Sequence, residues 1–165
     1  MPPEPLLNLD LSDILVVLAL AASPISELRG AIPVAITGFH FPWYYAFLLA
    51  IIGNLLPVPF ILLFLDSVSR LLSKVRFFDS ILKWLFKHTR RRGRIIERYE
   101  RIGLALFVAV PLPVTGAWTG SLVAVLFGLK FKHAFLSIFV GILIAGVIVT
   151  CATLLGWTIF GLWRA

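Results

Sequence analysis

The chain has 165 residues, 60% of them hydrophobic and only 14% charged, at a mean hydropathy of +1.00. No soluble domain of this length hides so much apolar surface in one core, and the apolar residues run unbroken instead of alternating as a β-barrel requires, so the class is an all-α integral membrane protein. The net charge of +7 is local: eleven of the fifteen Lys and Arg residues lie between Arg70 and Arg101, which beside transmembrane segments reads as a cytoplasmic loop facing an anionic leaflet and not as a nucleic-acid surface.

The N-terminal stretch has no basic residue and carries Glu4, Asp10 and Asp13, so no cleaved signal peptide is expected. The first hydrophobic region, 13–38, is interrupted by Pro24, Gly30 and Pro33. Proline inside a helix removes a hydrogen bond and clashes with the preceding turn. Each half is then about 9–13 residues, too short to span, which predicts a re-entrant hairpin. Ser23, Pro24, Gly30 and Pro33 are its turn residues. Ser23 suits an N-cap and Pro24 the first helical position, and a half-helix starting there would point orphan N–H groups at an anion. Glu27 and Arg29 lie in this stretch, although an ionisable group at membrane depth costs roughly 2.5 kcal/mol or more. Arg29 offers a planar donor fork suited to phosphate or carboxylate. Glu27 is expected to load and release a proton during a cycle. Spaced i,i+2, the two should not face each other on one helix, so each is expected to find a partner elsewhere.

A transmembrane helix follows over 43–69, with Trp43, Tyr44 and Tyr45 as its interfacial belt. Asn54 falls about 16 Å into it at the helical rise, near the midplane, where an amide needs a partner; it is assigned to the same site. Asp66 and Arg70 make an i,i+4 pair at the inner end. The segment 76–101 reads as a basic amphipathic connector on the cytoplasmic surface. It ends in a short helix bearing the pair Glu97 and Arg101, and 83–101 is its candidate contact for anionic lipid headgroups.

The region 102–128 repeats the broken pattern, with Pro111, Pro113 and Gly116 at its turn. Lys130, Lys132 and His133 follow it, and the positive-inside rule puts both its flanks in the cytoplasm. It must therefore enter and return, a second re-entrant hairpin. Thr115 is expected to cap the returning half-helix, and Thr115, Trp118, Thr119 and Ser121 to complete a polar cavity opposite Glu27 and Arg29. A last transmembrane helix covers 134–163, with Trp157 and Trp163 at the far interface. Its glycine pairs Gly141 and Gly146, or Gly156 and Gly161, suggest the close helix contact of a homodimer. Cys151, the single cysteine, reads as a small packing residue.

The halves resemble one another. Arg29-Gly30-Ala31 falls against Thr115-Gly116-Ala117, and Ala46-Phe47 with Gly53 against Ala134-Phe135 with Gly141. With one hairpin entering from each side, the architecture is an inverted repeat of two re-entrant hairpins, each followed by a transmembrane helix. Such repeats place a substrate site between the broken helices. His40, His88 and His133 show no metal-ligand spacing, and no nucleophile, Walker or zinc-protease motif is present, so neither an enzyme nor a metal or cofactor site is expected.

Three blocks together resemble the small multidrug export protein family: Glu27-Leu28-Arg29-Gly30-Ala31-Ile32-Pro33, then Gly53-Asn54 with Pro57-Val58-Pro59, then Pro111 to Gly120. The likeness covers roughly 20–157, and that family is distantly similar to the DedA and VTT-domain membrane proteins. The resemblance implies facing re-entrant hairpins and transbilayer movement of lipids, including a polyprenyl phosphate carrier, with proton coupling. One departure matters. The DedA pattern carries arginines around the second hairpin's proline, where Val110 and Gly116 stand here, so Arg29 alone would supply the anion-binding charge.

The leading reading is a small inner-membrane transporter or flippase for an amphiphilic, anionic-headed substrate, with membrane lipids as its partners. A proton-coupled exporter of hydrophobic cations, with Glu27 as counter-charge, is the alternative. A non-transporting scaffold docking through its basic connector is a third.

Overall fold

The computed structural model describes residues 10–72, 93–112 and 115–164, and within them the fold is entirely helical. Seven α-helices follow in order: α1 (Leu11–Ala22), α2 (Glu27–Pro33), α3 (Trp43–Leu55), α4 (Pro57–Leu72), α5 (Gly93–Ala109), α6 (Ala117–Leu126) and α7 (Phe131–Arg164), with a π-helical turn Val34–Gly38 continuing α2. Two stretches are long and apolar enough to cross a membrane, Trp43–Phe64 (22 residues) and Phe131–Ile159 (29 residues). Helices α1, of 12 residues, and α6, of 10, are apolar but reach only about 18 and 15 Å at the helical rise, well short of a hydrocarbon core of roughly 30 Å.

The helices fall into two compact units, Met1–Leu56 with Leu143–Ala165, and Pro57–Ile142. In the first, α1, α2 and α3 pack against one another. Their shared face is made of small residues, with Ala21, Ala31, Ala35, Ala46 and Ala50 fully buried. Small side chains let helix backbones approach closely, the packing on which helices in lipid depend. Gly53 is where α3 meets α1: a Cβ there would stand 2.9 Å from the Leu18 carbonyl oxygen and 2.7 Å from the Ala21 Cβ.

In the second unit α6 packs on both α4 and α5. Gly141 of α7 does there what Gly53 does in the first unit, since a Cβ on it would stand 2.7 Å from the Ala105 carbonyl oxygen and 2.6 Å from the Val108 Cβ. The two glycines matched by sequence thus each receive the backbone of a preceding helix. Gly146 is also occupied within the chain, against Phe47 and Ile51, whereas Gly156 faces open space. Large apolar side chains such as Leu15, Leu48, Phe60, Phe64, Leu136 and Val147 point outward, more exposed apolar surface than a protein in water tolerates.

The second helical segment has different limits from those expected. Helix α5 runs unbroken from Gly93 to Ala109, so the basic end of the connector and the apolar segment from 102 are one element. The connector from 76 to 92, Pro113, and the side-chain pairs Asp66–Arg70 and Glu97–Arg101 lie outside the described residues.

Candidate functional site

Helix α1 ends at Ala22 because Ser23 precedes proline, which forces it into extended backbone (φ −69°, ψ 138°). Its hydroxyl accepts a 3.4 Å hydrogen bond from the Ile25 N–H. It is not a helix cap: α2 begins only at Glu27, with Ser26 before it and no side-chain cap. The turn is therefore 23–26, and Gly30 and Pro33 belong to α2. A Cβ on Gly30 would meet the Ser26 hydroxyl, which would have to turn aside.

Pro33 closes α2 without donating a hydrogen bond, and the chain widens into the π-helical turn at Val34–Gly38. The Thr37 hydroxyl donates to the Pro33 carbonyl at 2.8 Å, and the Phe41 N–H to the Ala35 carbonyl at 2.9 Å, so the irregular backbone stays satisfied.

Glu27 occupies left-handed backbone (φ 49°), a region that non-glycine residues visit rarely and that persists where the surroundings over-determine it. Its carboxylate takes a hydrogen bond from the Arg29 guanidinium at 3.3 Å. The expectation that the two residues do not face each other is therefore corrected. The i,i+2 rule holds for side chains on a regular helix, and the left-handed residue at the start of α2 swings the carboxylate out of that geometry. The pair is uneven: the Glu27 side chain is 5% exposed and that of Arg29 22%.

Helix α3 packs on both α1 and α2 and carries Asn54, which is buried with its Oδ1 atom unpartnered. Among the described residues no donor reaches that oxygen. A buried amide oxygen without a donor already bears its desolvation cost of about 1–3 kcal/mol. Asn54→Leu is therefore expected to leave thermal stability unchanged or raise it, by less than about 1 kcal/mol. A clear fall in melting temperature would mean that the amide has a structural bond after all.

The second set of sequence-selected residues gathers on one turn in the other unit. The Thr115 hydroxyl donates to the Val110 carbonyl, and its oxygen accepts from the Leu112 N–H at 3.1 Å. It fastens the turn after α5 and does not cap α6, whose preceding residue is Gly116 with no side-chain cap. Thr119 donates to the Gly116 carbonyl at 3.4 Å, and buried Ser121 to the Ala117 carbonyl at 2.6 Å. Trp118 is half-buried beside them. These hydroxyl protons serve backbone carbonyls of their own segment.

Thr150 of α7 escaped sequence reasoning: it is buried with its hydroxyl unpartnered. A threonine within a helix ordinarily bonds the carbonyl four residues back, as Thr153 does to Val149, so its position alone gave no signal.

A family model described as "Putative small multi-drug export protein" matches residues 27–148, from the buried glutamate into α7. No curated protein and no solved structure matches the chain.

Proposed function

The chain belongs to the small multi-drug export family, and from that premise we propose that it is a membrane transporter whose substrate is amphiphilic with an anionic head, a lipid or polyprenyl-phosphate-like molecule. The observation that carries the reading is the ion pair set in a helix break, with its cation more open than its anion. A guanidinium presents several donors and binds phosphate or carboxylate in two-pronged fashion. An arriving headgroup takes the exposed side of Arg29 and competes with Glu27 for it. Once displaced, the carboxylate stands in a buried place without its counter-charge and takes up a proton. Release of the headgroup reverses both steps, so one exchange couples substrate movement to proton movement. Asn54, on the helix packed against this segment, supplies an acceptor to a hydroxyl or protonated group of the substrate.

The hydrophobic-cation reading is less well supported, because Glu27 already faces a fixed cation. The experiment that separates the two is transport by purified protein in liposomes, with a fluorescent phosphatidylglycerol and with a lipophilic cation as substrates. Movement of the lipid that Arg29→Ala leaves intact would overturn the anion reading. Cation efflux abolished by Glu27→Gln would favour the other. Asn54→Leu, stable as the fold is expected to be, should slow lipid movement several-fold.

In this reading both broken segments are re-entrant hairpins within an inverted repeat, the basic connector faces the cytoplasm, and the membrane is the inner one. Cysteines placed singly at 40, 90, 115 and 131 on a Cys151→Ser background test it in intact cells. Position 40 should react with an impermeant maleimide from outside, and positions 90 and 131 only after permeabilisation. Labelling of 90 and 131 from opposite sides would refute the second hairpin.

A further inference from the structure

Helix α6 stops in two hydrogen bonds that fold the chain back sharply. The Leu129 N–H reaches the Ala124 carbonyl and the Gly128 N–H the Val125 carbonyl, each at 3.0 Å, with Gly128 left-handed at φ 67°. This is the Schellman pattern, which occupies the last carbonyls of a helix. Lys130 then caps the next helix, its carbonyl accepting from the N–H groups of His133 (2.9 Å) and Ala134 (3.0 Å). The Lys130 and Lys132 side chains at this turn are both exposed.

Between this turn and α4 lies a cavity of about 350 Å³, walled by Leu62, Leu63, Val125, Leu129 and Phe131, with Lys130 as the charged residue of its lining. That volume falls in the range of ligand pockets, roughly 300–1,000 Å³. Phe131 is the first residue of one apolar span, with Lys130 just before it, and Leu62 and Leu63 belong to the other, so the walls come from segments apolar enough to cross a membrane and Lys130 stands where one of them begins. Two of its apolar lining residues are open to the surroundings, Leu63 58% and Phe131 41% exposed. Among the described lining residues Lys130 is the one charge and most of the others are apolar, so an anionic lipid matches the walls and the charge together.

We propose that this cavity is a binding site for an anionic phospholipid of the surrounding bilayer, held with an acyl chain between α4 and the α6–α7 turn and its phosphate at Lys130. Basic pockets between spanning helices at the membrane edge bind lipid headgroups in this way. The site contains none of the residues assigned to transport and does not rest on that reading.

Native mass spectrometry of the full chain in detergent micelles, titrated with dioleoylphosphatidylglycerol or dioleoylphosphatidylcholine, tests it. The wild type should bind the glycerol lipid more tightly. Lys130→Gln should weaken that lipid about five-fold, the equivalent of about 1 kcal/mol for one basic residue at the surface, and weaken the choline lipid, whose phosphate is offset by its own cation, by less. Lys132→Gln should change neither by more than about two-fold, since that residue is outside the lining. Val125→Phe, filling the cavity, should weaken both lipids, with Leu129→Phe read the same way if the first variant does not fold. Equal binding of the glycerol lipid by wild type and Lys130→Gln, indifference to the filled cavity, or inorganic phosphate competing as well as the lipid would each overturn the proposal.

Discussion

Replacing Arg29 by alanine is expected to abolish substrate movement and to destabilise the protein, and adding Glu27→Gln is expected to restore only the stability. Removing one partner of a buried ion pair takes from the other charge its counter-charge, a loss on the order of 3–5 kcal/mol. Glu27, at 5% exposure, is the partner left behind. Thermal unfolding in detergent should show the fall for Arg29→Ala and its recovery in the double variant, where a neutral amide replaces the stranded carboxylate. Lipid movement in liposomes should remain lost in both, because the headgroup ligand is absent. A merely structural pair would behave otherwise: the double variant, folding normally, would also transport.

The single variant Glu27→Gln divides the readings more finely. It keeps Arg29 and removes its competitor, so headgroup binding should tighten while dependence on a proton gradient disappears. Lipid movement that still follows an imposed pH gradient in this variant would remove Glu27 from the coupling step.

Much of this arrangement was legible from residue order. The interruptions after α1 and after α5 follow from proline chemistry, although Gly30 and Pro33, expected as turn residues, lie within α2, and the two apolar spans follow from length. Gly53 and Gly141, matched in the sequence, each receive a helix backbone where a Cβ would collide, although the sequence points to Gly141 as a dimer contact. What escaped was conformation that breaks a periodic rule. The Glu27–Arg29 contact depends on one left-handed residue, and helical spacing presumes none. Thr115 illustrates another blind spot, since a hydroxyl before a helix serves equally as a cap or as the fastener of the preceding turn. Only the position of the Val110 carbonyl decided it.

Helix α5 shows why boundaries drawn from polarity fail in such a protein. Arg94, Arg98 and Arg101 give way to Ile102, Leu104 and Leu106, and that change of composition reads as a border between connector and hairpin. Yet backbone hydrogen bonding in a helix is indifferent to the medium around its side chains. A helix that passes from an aqueous surface into lipid changes composition without ending. The cavity at Lys130 was hidden for a related reason. Its walls come from segments some sixty residues apart, Leu62 with Leu63 and Val125 to Phe131, and no local pattern joins them.

Gly53→Ala and Gly141→Ala are each expected to cost about 1–3 kcal/mol, the range for forcing extra volume into a packed contact. At both positions the added Cβ meets a backbone carbonyl oxygen, from Leu18 at 2.9 Å and from Ala105 at 2.7 Å. A backbone atom cannot rotate aside as a side-chain end does, so the whole helix must retreat and loosen the contacts around it. Gly156→Ala, with nothing within 4 Å of the new methyl, provides the contrast. There the helix gains the propensity advantage of alanine, roughly 0.5–1 kcal/mol, and stability should hold or rise. Thermal unfolding of the three variants in one detergent reads the difference directly. Should Gly53→Ala and Gly141→Ala unfold no earlier than Gly156→Ala, the close approach of α1 to α3 and of α5 to α7 would not be what holds either unit together. Should only one of the two suffer, the matched glycines would have parted in role, and the likeness between the halves would be one of sequence without a shared packing duty.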